Sequence, residues 1–255
     1  GHAHAQALRG QQRPAIGQAH QRLVDLQRIG GAGLLLLAGM AWSLFKAMDK
    51  PENVSYLYFP LASETGLKSS LTPNLGGDAK IDQETFLLEP VSAENLHSNR
   101  GVRNFWLVDE DGQAFSVSGA SARQEADRFT PAQDDSRLTA GLMWQTVERT
   151  AQDLGLDTEV TAFCPRQDNV EILCITVRNQ QEQPRWLTPI AAVPLYGRSA
   201  DNIRDHRNVT SMLHRIWTTE NGVMVRPTMS FDERGHRPNH KVYYVEGFGP
   251  EGQKP

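Results

Sequence analysis

From Pro51 onward the sequence is a succession of short runs rich in aromatic and β-branched residues, broken by prolines, glycines and Asx–Gly turns. No long amphipathic helical stretch lies among them. This punctuation is the strongest constraint on the fold. A strand needs only a few residues of period-two patterning before it reverses, whereas a surface helix needs a sustained stripe of period 3.6. The runs are 52–60, 85–88, 104–108 with 114–117, 142–147, 159–163, 170–177, 186–193, 212–217 with 223–225, and 242–245. Asp109–Gly112 reads as the turn of one hairpin. Glu220-Asn221-Gly222 reads as that of another, because an Asn-Gly pair tolerates positive φ at both positions. Residues 62–80 read as a loop, and the fold class expected is an all-β sandwich in one domain, with no linker inside it.

The first residues do not share this texture. Four arginines (Arg9, Arg13, Arg22, Arg28) face the single acid Asp25, and the run Ile29–Phe45 carries no charge. At ~1.5 Å per residue that run would reach roughly 25 Å as a helix, short of the ~30 Å hydrocarbon core. A membrane anchor through residues 29–45 is therefore the lesser reading. Residues 1–39 are expected to form a leader, poorly ordered or helical, and residues 40–255 the β domain, truncated at its C-terminal end. Lys and Arg total 26 against 30 Asp and Glu, a net charge of −4 with both signs interspersed. That balance argues against nucleic-acid binding driven by phosphate neutralisation. Cys164 and Cys174 cannot staple a chain of this length; they read as small buried hydrophobes in a reducing, cytoplasmic compartment.

The densest polar string is Tyr196–Thr210. It holds Arg198, Asp201, Arg204, Asp205, His206 and Arg207 between two strand-like runs. Arginine forks beside carboxylates suit multidentate hydrogen bonding to sugar hydroxyls or to phosphate. The competing reading is a solvated crossover loop whose charges pair among themselves at little energetic gain. A second string, Ser230–His240, spaces His236 and His240 as H-x3-H near Asp232 and Glu233. Gly235 and Pro238 deny it the helix that would present both imidazoles together, so no metal site is assigned. Trp106, Trp144, Trp186 and Trp217 lie in apolar runs and are expected in the core. Asn53 and Asn208 match the glycosylation sequon, which bears only on a secreted chain. No Walker loop, G-x-G-x-x-G or G-x-S-x-G occurs, so nucleotide-binding and serine-hydrolase readings have no anchor.

Tyr56–Ala62, Phe86–His97, Arg103–Trp106, Tyr196–Arg207 with Val209–Arg215, and Ser230–His236 together resemble the N-terminal part of cellobiose-phosphorylase-like proteins, glycoside hydrolase family 94. The resemblance runs from about Met40 to Pro255 and is most specific over 196–215. It implies a large β-supersandwich, similar to galactose mutarotase, followed by a helical linker and an (α/α)6 barrel in the same polypeptide. It also implies the reaction of an inverting glycoside phosphorylase. Inorganic phosphate attacks the anomeric carbon of a β-glucoside while one carboxylic acid, carried by the barrel, protonates the leaving oxygen. No catalytic residue is expected in the present chain, and no cofactor beyond phosphate as co-substrate. In dimeric family members a loop of the sandwich reaches the neighbouring subunit's active site. The matching residues here are 198–207, with His206 and Arg207 the foremost candidates for substrate contact. The alternative is an autonomous carbohydrate-binding sandwich with no reaction.

Overall fold

The computed structural model describes residues 46–54, 57–92, 95, 101–152, 154–200, 212–232 and 235–253. In chain order the strands are β1 (Lys46–Asp49), β2 (Phe59–Ala62), β3 (Lys68–Leu71), β4 (Ala79–Asp82), β5 (Thr85–Phe86), β6 (Asn104–Val108), β7 (Ala114–Ser116), β8 (Asp135–Gly141) and β9 (Trp144–Ala151). There follow β10 (Leu156–Phe163), β11 (Ile172–Asn179), β12 (Thr188–Ala192), β13 (His214–Thr218), β14 (Gly222–Pro227), β15 (Met229–Asp232), β16 (Gly235–Pro238) and β17 (Tyr243–Glu246). Among the described residues one short α-helix, α1 (Ala122–Asp127), interrupts them, opened by a capping box in which Ser121 and Gln124 each bond the other's backbone N–H. The expected all-β class is what the structure has.

The central ladder is a five-stranded sheet in the order β1-β8-β9-β10-β11. Its antiparallel registers run unbroken from Leu156↔Ala151 to Phe163↔Trp144 and from Leu156↔Asn179 to Phe163↔Ile172. β10 alternates buried and half-buried residues along its whole length, so Leu156, Thr158, Val160 and Ala162 all face inward. Against that face pack Leu61 of β2, Leu71 of β3, Leu107 of β6 and Phe115 of β7, together with Leu75 and Val117 from the flanking turns. These strands belong to two further antiparallel sheets, β2-β3-β4-β5 and β12-β6-β7. β13-β14-β17 and the hairpin β15-β16 complete the description.

Several local expectations are corrected. Residues 62–80 hold β3 and the start of β4 rather than a loop. Lys68-Ser-Ser-Leu71 contains one large apolar residue, yet Ser69 and Leu71 both point inward, and a buried serine hides the alternation from a hydropathy reading. The run 52–60 opens as a 3-10 turn, Pro51–Asn53, with proline at its first position, and extends only from Phe59. Leu142 and Met143 are not strand residues but the exposed tip of the β8–β9 hairpin, with Met143 at φ 62. None of the tryptophans expected in the core is fully buried: Trp106 and Trp144 are half-buried, Trp217 is 41% exposed and Trp186 78%.

The Glu220–Gly222 hairpin forms as expected, but not through an Asn-Gly turn. Thr219 and Gly222 close it, with Thr219 N–H donating to the Gly222 carbonyl at 2.8 Å, so Glu220 and Asn221 are the central pair. Gly222 instead opens β14 opposite Glu246 of β17. A Cβ there would stand 1.9 Å from the Val245 carbonyl oxygen, so glycine is required by a close backbone approach and not by φ.

The β3–β4 connection is held by one side chain. Arg103, 3% exposed, donates through Nη1 to the carbonyls of Leu75, Gly76 and Gly77 at 3.2, 3.1 and 3.3 Å. Its Nη2 reaches the Asp78 carbonyl at 3.0 Å and Ser69 Oγ at 2.7 Å. Its Nε pairs with Glu171 Oε1 at 2.5 Å, and Ser69 Oγ donates to Glu171 Oε2 at 2.6 Å. Every guanidinium nitrogen is occupied, which is the condition under which a buried ion pair is tolerated.

Two outcomes follow from this packing. Arg103→Ala leaves Glu171 buried without its cation and is expected to cost about 3–5 kcal/mol in a urea unfolding titration. Gly222→Ala forces β14 from β17 and is expected to cost about 1–3 kcal/mol by the same measurement, whereas a cost near zero would remove the close-approach account.

Candidate functional site

The polar string singled out in the sequence leaves the sandwich from a bonded root. Tyr196 N–H donates to the Leu87 carbonyl at 2.8 Å, Phe86 N–H to the Arg198 carbonyl at 3.0 Å, and Ala200 N–H to the Gln83 carbonyl at 2.9 Å. Residues 196–200 therefore bond along β5, the last strand of its sheet, and cover an edge that would otherwise present unpaired backbone. Gly197 makes the entry bend at φ 62, in the left-handed region that glycine occupies without strain.

The side chains of the root turn inward. Tyr196, Arg198 and Ser199 are 4%, 6% and 1% exposed. The Tyr196 hydroxyl donates to the Ser199 carbonyl at 3.0 Å, and the Arg198 guanidinium lies 4.2 Å over the Tyr196 ring. A desolvated cation over an aromatic face is attracted by the ring quadrupole, so Arg198 is a charge fixed in place. Two residues of the β13-β14-β17 sheet close the other side. A Cβ on Gly197 would lie 3.4 Å from the Tyr243 ring and 3.8 Å from His214 Cε1. Burial and then the Arg198 charge hold the His214 imidazole below its ordinary value of 6.5. Burial, with Asp82 adding to it, pushes the Tyr243 phenol well up, so both rings are neutral at pH 7.

Of the six residues read from the sequence as substrate contacts, Arg198 sits in this root. Asp201, Arg204, Asp205, His206 and Arg207 lie outside the described residues, as does the apolar run 29–45. Tyr196, His214 and Tyr243 were not singled out. Tyr196 opens the polar string, His214 and Tyr243 lie within short strand-like runs, and no spacing in the chain brings positions 196, 214 and 243 together. Among the described residues no helix is long and apolar enough to cross a membrane. Among them, too, no group of three or more His, Cys, Asp or Glu residues is placed to hold a metal ion. His236 lies in β16, and His240 follows it outside the hairpin. Burial pushes the Cys164 thiol up to about 12, and Cys174 is raised by the same cause, so both stand as protonated thiols.

A second buried polar cluster lies under the 3-10 turn. Arg149 of β9, 3% exposed, places Nη1 3.3 Å from Glu52 Oε1 and 3.8 Å from Asp134 Oδ2. Glu52 also accepts from Ser136 Oγ at 2.9 and 2.8 Å and from Gln133 Nε2 at 3.1 Å. The Asn53 sequon amide is spent here, in a reciprocal pair with the Gln133 amide at 2.9 and 3.0 Å. This cluster ties the chain before β2 to the β8–β9 hairpin.

With the root and its surroundings laid out, the comparisons bear on a defined region. The family model described as the glycosyl hydrolase 94 supersandwich domain matches residues 79–248, two thirds of the chain. The chain belongs to glycosyl hydrolase family 94. The matched span runs from the start of β4 past β17 and contains the whole Tyr196–Arg207 string, so the family 94 sandwich includes the root described above. No curated protein matches the chain significantly. The Glu52–Arg149 cluster joins residues on both sides of the start of the family 94 match.

The cluster sets an acid limb to stability. Burial raises the Glu52 carboxyl, but the Arg149 charge and the hydrogen bonds outweigh burial, and its folded value stands below the ordinary 4.5. Its contribution is therefore complete above pH 4.5 and is lost as pH falls through the lowered folded value. Urea midpoints measured from pH 6 down to about pH 3 are expected to fall less steeply in Glu52→Gln than in the parent. Parallel acid limbs would remove Glu52 from this role.

Proposed function

We propose that the chain is the front domain of an inverting glycoside phosphorylase that cleaves β-linked glucosides with inorganic phosphate, giving a sugar 1-phosphate and a free sugar. The supporting observation is the family 94 match across the densest polar string, which combines arginine forks, carboxylates and an imidazole. In this reading the domain performs no bond cleavage itself. A helical barrel of the same polypeptide carries the catalytic acid, and phosphate stands where a hydrolase would place an activated water, so one protein carboxyl group suffices. The domain's contribution is to bind and orient sugar and to pair with a second copy. His206 and Arg207 contact substrate, assisted by Asp201, Arg204 and Asp205, while the buried Arg198 anchors the root from which they continue. A guanidinium offers two parallel donors to adjacent hydroxyls or to phosphate, a geometry an ammonium cannot match. No cofactor is required, and the protein is cytoplasmic.

A second reading, a sugar-binding sandwich without turnover, is favoured by the exposure of Trp186, at 78% open enough to stack on a pyranose ring.

The discriminating assay is phosphate-dependent formation of sugar 1-phosphate from β-linked disaccharides by the natural full-length polypeptide. Arg207→Ala in that polypeptide is expected to raise KM about tenfold or more with kcat unchanged, the mark of lost uniform binding. Unchanged kinetics would exclude the string from substrate contact. Sugar binding without any phosphorolysis would leave the second reading.

A further inference from the structure

A small cavity, about 10 Å³, lies where β9, α1 and the 3-10 turn Pro51–Asn53 meet. Its walls hold two guanidinium groups, Arg149 of β9 and Arg128 just past α1, and the carboxylates of Glu52, Glu125 and Asp134. Three nitrogens of these arginines, Arg149 Nε, Arg149 Nη2 and Arg128 Nε, are buried with no hydrogen-bond partner among the described residues. We propose that the cavity is the site of one internal water molecule, which accepts a hydrogen bond from Arg149 and donates one to Asp134.

The Arg149 side chain is 2% exposed, so its remaining N–H groups do not reach bulk solvent, and leaving them unmet carries a desolvation penalty. Nη1 serves Glu52 Oε1 at 3.3 Å, but it stands 3.8 Å from Asp134 Oδ2. The second separation is too long for a direct hydrogen bond and has the length at which a water bridges two polar groups. Nη2 is turned toward Gly119, another wall of the cavity, where a Cβ would collide with the guanidinium, so no side chain at that position answers it. The two amides in the walls are spent elsewhere. Gln124 Nε2 donates to the Ser116 carbonyl at 3.1 Å and to Asp134 Oδ2 at 2.7 Å. Gln133 Nε2 donates to Glu52 Oε1 at 3.1 Å and to Asn53 Oδ1 at 3.0 Å. Asp134 has acceptor capacity beyond the Gln124 bond, because a carboxylate offers about four lone-pair sites.

The chemistry of the walls selects the occupant. The unmet atoms are all donors, whereas a metal cation needs lone pairs directed at it. Three carboxylates against two guanidinium groups oppose an anion. A water both accepts and donates, and it needs roughly 10–15 Å³ and two to four polar partners, which this cavity supplies. The water would fasten the chain around α1 to β9. This inference goes beyond the proposed function and holds whether or not the domain meets a sugar, because no residue of the Tyr196–Arg207 string lines the cavity.

The experiment is a high-resolution crystal structure of the chain, with a second crystal soaked in sodium bromide and measured for bromine anomalous scattering. One isolated density peak is expected about 2.7–3.2 Å from Arg149 Nη2 or Nε and at a like distance from an Asp134 carboxylate oxygen, with no anomalous signal there. No peak in the cavity, or a guanidinium whose Nη2 bonds a protein acceptor directly, would overturn the proposal. A bromine peak in the cavity would overturn it as well, by making the site one for anions.

Discussion

The fold depends on a guanidinium used as an internal bracket. The β3–β4 connection turns through Leu75 at φ 62 and Gly77 at φ 107, which aims consecutive carbonyls into the interior instead of toward water. Left alone, such carbonyls would each carry a desolvation penalty. Arg103 gathers them, and Glu171, at the entry to β11, neutralises the charge that this requires. Leu75 can then place its side chain in the core beside Leu71, Leu107 and Leu156, although a non-glycine residue at positive φ is strained. The same contact links β3, the segment before β6 and the start of β11. Three sheets therefore take their relative positions around one satisfied cation.

The candidate site also holds a buried guanidinium. It belongs to Arg198, whose ring partner Tyr196 stands two positions earlier in the chain and whose charge acts on the His214 imidazole. The structural arginine is bracketed by backbone carbonyls and a carboxylate, and the arginine at the root of the polar string by an aromatic ring.

Strand content was legible because it is a local property. The hairpin 104–116, the run that became β11, and the closing strand β17 each carry their β-branched or aromatic residues within a few positions. What hydropathy missed were strands whose inward residues are polar. β3 buries Ser69, and β8 buries Ser136 beside Leu138 and Ala140. Those serines are inside because Arg103, Glu171 and Glu52 need partners there, a demand written tens of residues away. Leu142 and Met143 failed in the opposite sense: apolar residues occupied a hairpin tip because the register of β8 on β9 left two positions between Gly141 and Trp144. Gly222 looked like a turn residue and proved to be a contact residue, since only the approach of β17 reveals the space its missing Cβ leaves.

By itself the sequence determined the all-β class, the family 94 supersandwich and the position of the polar string, because periodicity, turn chemistry and an ordered run of residue types are all properties of the chain read in order. Only the tertiary structure decided which charges are buried, what faces them, and that positions 196, 198, 214 and 243 form one cluster. Burial and electrostatic partnership arise between sheets, across separations in the chain that no local pattern encodes.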